Sequence, residues 1–198
     1  MSSSTSVNSN CERTRSSWDY AFDCYTTQRI FARRAGIYSK RIKSLTVSGI
    51  IIPFCLGLVA VTWSDFFSNH SWILPVAAIA LFLQAMGSAW SVLVGWPAEL
   101  EYCLESAADH RAMQVEFEEI ANQHNSPEES ISTKYERVYG RYLARDTADQ
   151  KKNVTEKEMR RAYRAGLFWY KRTCPTCEKM PTSFGSEKST CNSCGNFK

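Results

Sequence analysis

Two pairs of thiols recur in this 198-residue chain at one internal spacing: Cys174-Pro-Thr-Cys177 and, after thirteen intervening residues, Cys191-Asn-Ser-Cys194-Gly195. Four soft thiolates in two such pairs suit the corners of a tetrahedron around Zn²⁺. Each pair would form one knuckle, and Gly195 offers the second the backbone freedom that such turns use. Residues 173–198 are therefore expected to form a small zinc-ribbon-like module. A segment this short builds no core of its own, so metal binding must supply its folding free energy. With four protein ligands (Cys174, Cys177, Cys191, Cys194) no coordination position stays open, and the expected role of the zinc is structural. A redox-active CxxC is the competing reading, but neither pair sits in a βαβ pattern. His70 falls between two apolar runs, and His110 and His124 are isolated on or after a polar helix. No phosphate-cradling Gly-rich loop and no nucleophile–base spacing is present. No catalytic residue is assigned, and an enzyme is not expected.

The elements that must carry this module read as helices. Thr155-Glu-Lys-Glu158 is a capping box, in which a threonine and a glutamate three residues on satisfy each other's orphan backbone donors. It should open a connecting helix within 153–172, with Met159, Tyr163, Leu167 and Tyr170, beside Ala162 and Gly166, on one face. Ser126-Pro127-Glu128-Glu129 is a second start signal, and Ile131, Tyr135, Val138 and Tyr142 follow at i, i+4, i+7 and i+11. Glu99 to Gln123 reads as a further helix, with Leu100, Leu104, Ala107 and Ala108 toward its start. Before these, Trp18, Phe22 and Tyr25 mark an amphipathic N-terminal helix whose stripe Ala32 and Gly36 could extend. Residues 1–16, rich in Ser, Thr and Asn, are expected to be a disordered leader. These amphipathic faces should pack on one another as a helical bundle.

Between them lies an apolar stretch from Ser44 to Trp96. Two runs free of charged residues, about 44–64 and 72–96, are separated by Ser64-Asp-Phe-Phe-Ser-Asn-His-Ser71. About 20 apolar residues suffice for a helix to cross a bilayer's hydrocarbon core, so the pair reads as a transmembrane hairpin in contact with the lipid bilayer. A pair of buried helices in a soluble protein is the alternative. The mean hydropathy of −0.33 averages over this split. Eight Lys/Arg stand before Ser44, whereas the short loop carries Asp65 and no base. This asymmetry expects a multi-pass protein of the cell inner membrane with both termini cytoplasmic. The bases from Arg29 to Lys43 either set that topology or attract anionic headgroups. No signal peptide is expected, because the first apolar run begins behind a basic segment. The net charge of +4 is too small to argue for nucleic acid as a partner.

The second run carries a polar and small-residue stripe: Gln84, Gly87 or Ser88, Ser91 and Gly95 recur at helical spacing. In lipid such residues let backbones approach closely and seek hydrogen-bond partners. The stripe therefore packs on the first span of the same chain, or it is a pore-lining or homo-oligomer face. Glu99, Glu101, Glu105 and Asp109 beyond it either draw cations or form a solvated helix face.

The fold class expected is thus an all-α membrane protein: a two-helix transmembrane hairpin, an amphipathic N-terminal helix, a cytoplasmic helical tail and a C-terminal zinc-ribbon-like module. This layout from Trp18 to Cys194 resembles the SLATT superfamily of two-transmembrane effectors associated with bacterial conflict systems, here over a domain of residues 17–152. The double CxxC is similar to that of the mobilome CxxC-x(11)-CxxC proteins, although the gap here, Glu178 to Thr190, is thirteen residues. The resemblance implies a membrane effector of an anti-phage or mobile-element conflict system that oligomerises into a pore. The alternative is a membrane-anchored adaptor whose zinc ribbon binds a protein or nucleic acid, with Lys171, Arg172, Lys179, Lys188 and Lys198 as its basic surroundings. A protein partner encoded nearby would fit either reading.

Overall fold

The computed structural model describes residues 3–62, 72–123, 128–185 and 191–195. Among them the chain is helical without strands: α1 (Ser3–Thr62), α2 (Ile73–Leu93), α3 (Trp96–Asn122), α4 (Glu128–Asp149) and α5 (Glu156–Trp169). The loop 64–71 with Asp65 and His70, the cap Ser126-Pro127, His124, and Lys188 and Lys198 lie outside the described residues. The chain divides into two compact units, one of residues 1–33 with 103–198 and the other of residues 34–102.

Residues 3–16, expected as a leader, are helical here, and α1 runs unbroken from Ser3 through the first apolar run. Once a helix is nucleated, each added residue gains a hydrogen bond, so weak formers such as Ser and Asn extend an existing helix that they would not start. Pro53 sits within α1.

In the larger unit, Ser17, Ala21, Cys24 and Phe31 are buried positions of α1, beside Phe22, Tyr25 and Ile30; Ala35, in the smaller unit, is buried as well. Ala32 and Gly36, expected to extend the apolar stripe, are exposed. The buried line follows mostly small residues spaced by three and four, a signal that the larger aromatics overshadow. Ala21 and Cys24 pack with Met113, Phe117 and Ile120 of α3 and with Ile131 and Val138 of α4. Tyr20, Tyr135 and Tyr142 close the cluster, and Tyr20 stacks on Phe117 with ring centroids 5.4 Å apart. The α4 face therefore matches its periodicity. The α3 face does not: Leu104 is exposed, and Cys103, Ser106, His110, Met113 and Gln114 are buried in its place.

That buried line brings together three polar groups from two helices. Ser106 Oγ donates to the Asp149 carboxylate (2.9 Å), and His110 Nε2 lies 2.7 Å from Asp149 Oδ2. Ser106 and His110 are one helical turn apart on α3, and Asp149 is the last residue of α4. Arg145, one turn before Asp149, reaches Glu105 and Asp109 at 3.4 and 3.3 Å. Those two acids are engaged by a guanidinium within their own unit.

The helix α5 starts at the expected capping box. Thr155 Oγ1 accepts from the Glu158 backbone N–H, and Glu158 in return accepts from the Thr155 N–H. Its inner face holds Ala162, Arg164, Ala165, Gly166 and Leu167, while Met159 is exposed. Gly166 is required here. A Cβ at this position would stand 2.7 Å from Thr26 Cγ2 and 2.9 Å from Phe22 Cε2, so only glycine lets α5 lie this close to α1.

The smaller unit is a hairpin of α2 against the second half of α1. Its two helices are long and apolar enough to cross a membrane, and almost none of their apolar windows is buried. Phe54, Phe82, Trp90 and Leu93 are among the large side chains left exposed, Leu93 at 81 %. Pro75 lies in the first turn of α2, where a missing N–H leaves no helical bond unmade. Gly95, with φ of +76°, ends α2 in the left-handed conformation and lets α3 begin at once.

Two substitutions test this packing. Gly166→Ala should destabilise the full chain by about 1–3 kcal/mol through overpacking, read as a lower Tm in thermal unfolding. Asp149→Ala should cost a similar amount, about 1–3 kcal/mol, because it strands two buried groups, Ser106 and His110, without their acceptor. An unchanged Tm in either variant would contradict the corresponding contact.

Candidate metal centre

After α5 the chain turns back on itself. The Arg172 N–H reaches Leu167 O at 2.9 Å, and Lys171 takes φ of 51° to make that reversal. The first knuckle follows. Glu178 N–H donates to Cys174 O (2.8 Å) and Cys174 N–H to Lys179 O (3.1 Å), closing a turn around the two thiols. The left-handed position falls on Glu178, with φ of 55°. The second knuckle repeats the bond pattern, with Gly195 N–H donating to Cys191 O at 2.9 Å. Thr176 and Ser193 occupy the same place in the two knuckles, and their hydroxyls meet at 2.7 Å. The two CxxC turns thus face each other as near-copies.

Their four sulfurs lie within 4.8 Å of one another. Cys174 Sγ is 3.9 Å from Cys191 Sγ, and Cys177 Sγ is 3.7 Å from Cys194 Sγ. A regular tetrahedron of thiolates about 2.3 Å from a central ion has edges of about 3.8 Å, so these spacings suit a metal ion at the centre. Cys174 and Cys194 are buried, and Cys177 and Cys191 are half-buried. Hydrogen bonds from the Cys194 and Ser193 backbone N–H groups hold the Cys191 thiol down to about 7, against the opposing effect of burial. Burial pushes the Cys194 thiol up. A bound cation would override that second effect, since a coordinating thiol is deprotonated outright.

The cluster rests on a hydrophobic seat supplied from elsewhere in the chain. Cys174 and Cys194 pack with Phe22 of α1 and Leu167 of α5, flanked by Tyr163 and Tyr170. Tyr170 is fixed in turn: its hydroxyl lies 2.5 Å from Glu118 Oε1 and accepts from Gln114 Nε2 at 2.9 Å. The Arg172 guanidinium pairs with Asp19 at 2.7 Å and lies 5.3 Å from the Phe22 ring centroid.

Beneath the second knuckle lies a residue that periodicity did not single out. Arg164 is 2 % exposed, and its guanidinium donates from Nε to Ser183 O and from Nη1 to Cys194 O, both at 3.1 Å. Four thiolates around a divalent ion carry a net charge of −2, and a buried guanidinium on a ligand's carbonyl offsets part of it. Nothing local to α5 marks Arg164 as buried, because its partners come from the segment after the helix. The same holds for Ser106, His110 and Asp149, which come together from distant positions. The serine there donates to the aspartate rather than to the histidine, and His110 Nδ1 has no hydrogen-bond partner among the described residues.

The chain belongs to the mobilome CxxCx(11)CxxC protein family. That family's model matches residues 14–197, which takes in α1 from Thr14 onward, the hairpin and both knuckles. Nothing among curated proteins or solved structures matches. The family's two CxxC pairs are the ones that the fold gathers, and the thirteen-residue gap includes 186–190, outside the described residues.

The other sequence-assigned positions, on the second apolar run, separate in space. Gln84 faces the first apolar run of its own chain: its Nε2 donates to Leu45 O (3.0 Å) and its Oε1 accepts from Ser48 Oγ (3.0 Å). A Cβ on Gly87 would be 3.6 Å from Leu45 Cδ2, so it too lies against α1. Ser91 is buried, Ser88 is exposed, and Gly95 stands in the turn after α2.

Metal analysis of the purified full chain should give about one ion per chain, and Cys174→Ser should abolish it. Binding displaces thiol protons, so the ion should be lost as pH is lowered from about 8 to about 5. Arg164→Met should weaken metal retention against a chelator by about 10- to 100-fold, as removal of a supporting contact does. Metal-free protein with intact knuckles would overturn the assignment.

Proposed function

We propose that this family member is a bacterial inner-membrane effector of an anti-phage or mobile-element conflict system, of the SLATT type. Its hairpin spans the bilayer with both termini on the cytoplasmic side, and copies associate into a pore that disrupts the membrane on activation. The four cysteines hold a structural Zn²⁺, and the protein performs no catalytic step. The observation that carries this reading is the hairpin's surface. Phe54, Ile79, Phe82, Trp90 and Leu93 are exposed on a pair of helices too thin to cover them. In water an apolar surface this extensive demands a cover, whereas in a bilayer the lipid tails provide it. The basic flank before Ser44 and the base-free loop support the orientation. Zinc is favoured among metals because a tetrahedral all-thiolate set with half-buried knuckles suits it.

One observation favours a second reading, in which the hairpin is an anchor and the metal module binds a partner without a pore. Gln84, the most polar residue of the second span, has its amide satisfied by Leu45 and Ser48 of its own chain. A pore would then have to be built from the outward residues of α2, where Ser88 is exposed and small enough for close helix approach.

Both readings are separated by one assay. Induced expression should collapse membrane potential, measured with a voltage-sensitive dye, and Ser88→Leu should suppress the collapse while the protein still inserts. Gln84→Leu should instead lower the amount of inserted protein, since it breaks contacts inside the hairpin. Intact potential at high expression, together with a stoichiometric partner recovered on the full chain, would replace the pore with the adaptor.

A further inference from the structure

Beside the metal module, the larger unit contains a cavity of about 500 Å³ between α1, α5 and the segment after the first knuckle. Arg29 and Arg33, one helical turn apart on α1, face Arg161 of α5 across it. Glu158 is the one acid on its lining, and that side chain's Oε2 already accepts from the Thr155 N–H and hydroxyl in the capping box. Neither Arg29 nor Arg33 has a carboxylate partner among the described residues; the Arg29 guanidinium instead lies 5.4 Å from the Phe184 ring centroid. Phe184 is held from behind by Phe168, with ring centroids 4.4 Å apart.

Arg29 and Arg33, with Arg161 opposite, give this concavity a positive potential that attracts an anion entering it. We propose that this cavity is a binding site for a phosphate group. The net formal charge of the lining is +2, which matches a phosphate dianion and exceeds what a single carboxylate neutralises. Guanidinium forks pair with phosphate oxygens in two-point hydrogen bonds, and three of them reach more oxygens than a carboxylate offers. The volume lies within the range of small-ligand pockets and leaves room for whatever the phosphate is attached to. Because the lining joins α1, α5 and Phe184, an occupant would tie together the elements that also seat the cysteine cluster.

The phosphate could belong to a soluble compound or to a lipid headgroup, and the two sources are separable on the full chain. Reconstituted in neutral phosphatidylcholine nanodiscs at fixed ionic strength, the protein is titrated with pyrophosphate by calorimetry. In a parallel arm, its Tm is compared in neutral nanodiscs and in nanodiscs doped with phosphatidic acid. The proposal expects saturable binding of one probe per chain, or stabilisation by the doped lipid, weakened about tenfold or more in Arg29→Gln and in Arg33→Gln. Both side chains are exposed, so neither change should alter the unliganded Tm. Arg160→Gln is the control: it removes the same charge one residue from Arg161, but from an exposed pair with Glu156. Pyrophosphate binding with that variant pattern assigns a soluble ligand; a response to phosphatidic acid alone assigns a headgroup. No response to either probe, or an equal loss in Arg160→Gln, overturns the site.

Discussion

Four thiols held within 4.8 Å of one another can ionise together only with a cation between them. Much of the larger unit answers that constraint. The two knuckles contribute turns and ligands, but the surface they rest on is Leu167, from the helix just before them, and Phe22, from the distant α1. Gly166 allows the close approach that puts Phe22 there, and Arg164 places a buried positive charge against a ligand's carbonyl. The module is therefore not an appendage on a tether. Its folding free energy and that of α1 against α5 are linked, so metal binding at the cluster would tighten contacts well beyond the knuckles.

Features encoded within a few residues could be read directly from the chain. The capping box at Thr155, the i, i+4, i+7 face of α4 and the spacing of the cysteine pairs each depend on neighbours in sequence. What escaped reading was set by distant partners. Arg164 looks like a solvated base until Ser183 and Cys194 arrive over it, and His110 looks isolated until Asp149 closes on it from another helix. The buried line of α1 was missed for a different reason. It uses Ser17, Ala21, Cys24 and Ala35, whose small side chains carry little hydrophobic signal yet allow the closest packing. Met159 and Leu104 show the converse: apolar residues at plausible spacing that stay exposed because no element packs over them.

The polar stripe of α2 is an intermediate case. Its helical spacing was legible, but spacing alone does not say which helix it meets. Three-dimensional placement divides it, with Gln84 and Gly87 against Leu45, Ser91 buried and Ser88 outward. One set of residues closes the hairpin and another is available to whatever surrounds it.

The closure of Gln84 on Leu45 and Ser48 bears on timing. An amide left open in hydrocarbon would drive copies together as soon as they were made, because another helix would be the nearest source of hydrogen bonds. A hairpin that satisfies its own amide has no such urgency, and under the proposed membrane setting single copies stay dispersed. On the proposed reading of this chain as a membrane effector, that self-sufficiency acts as a safety catch.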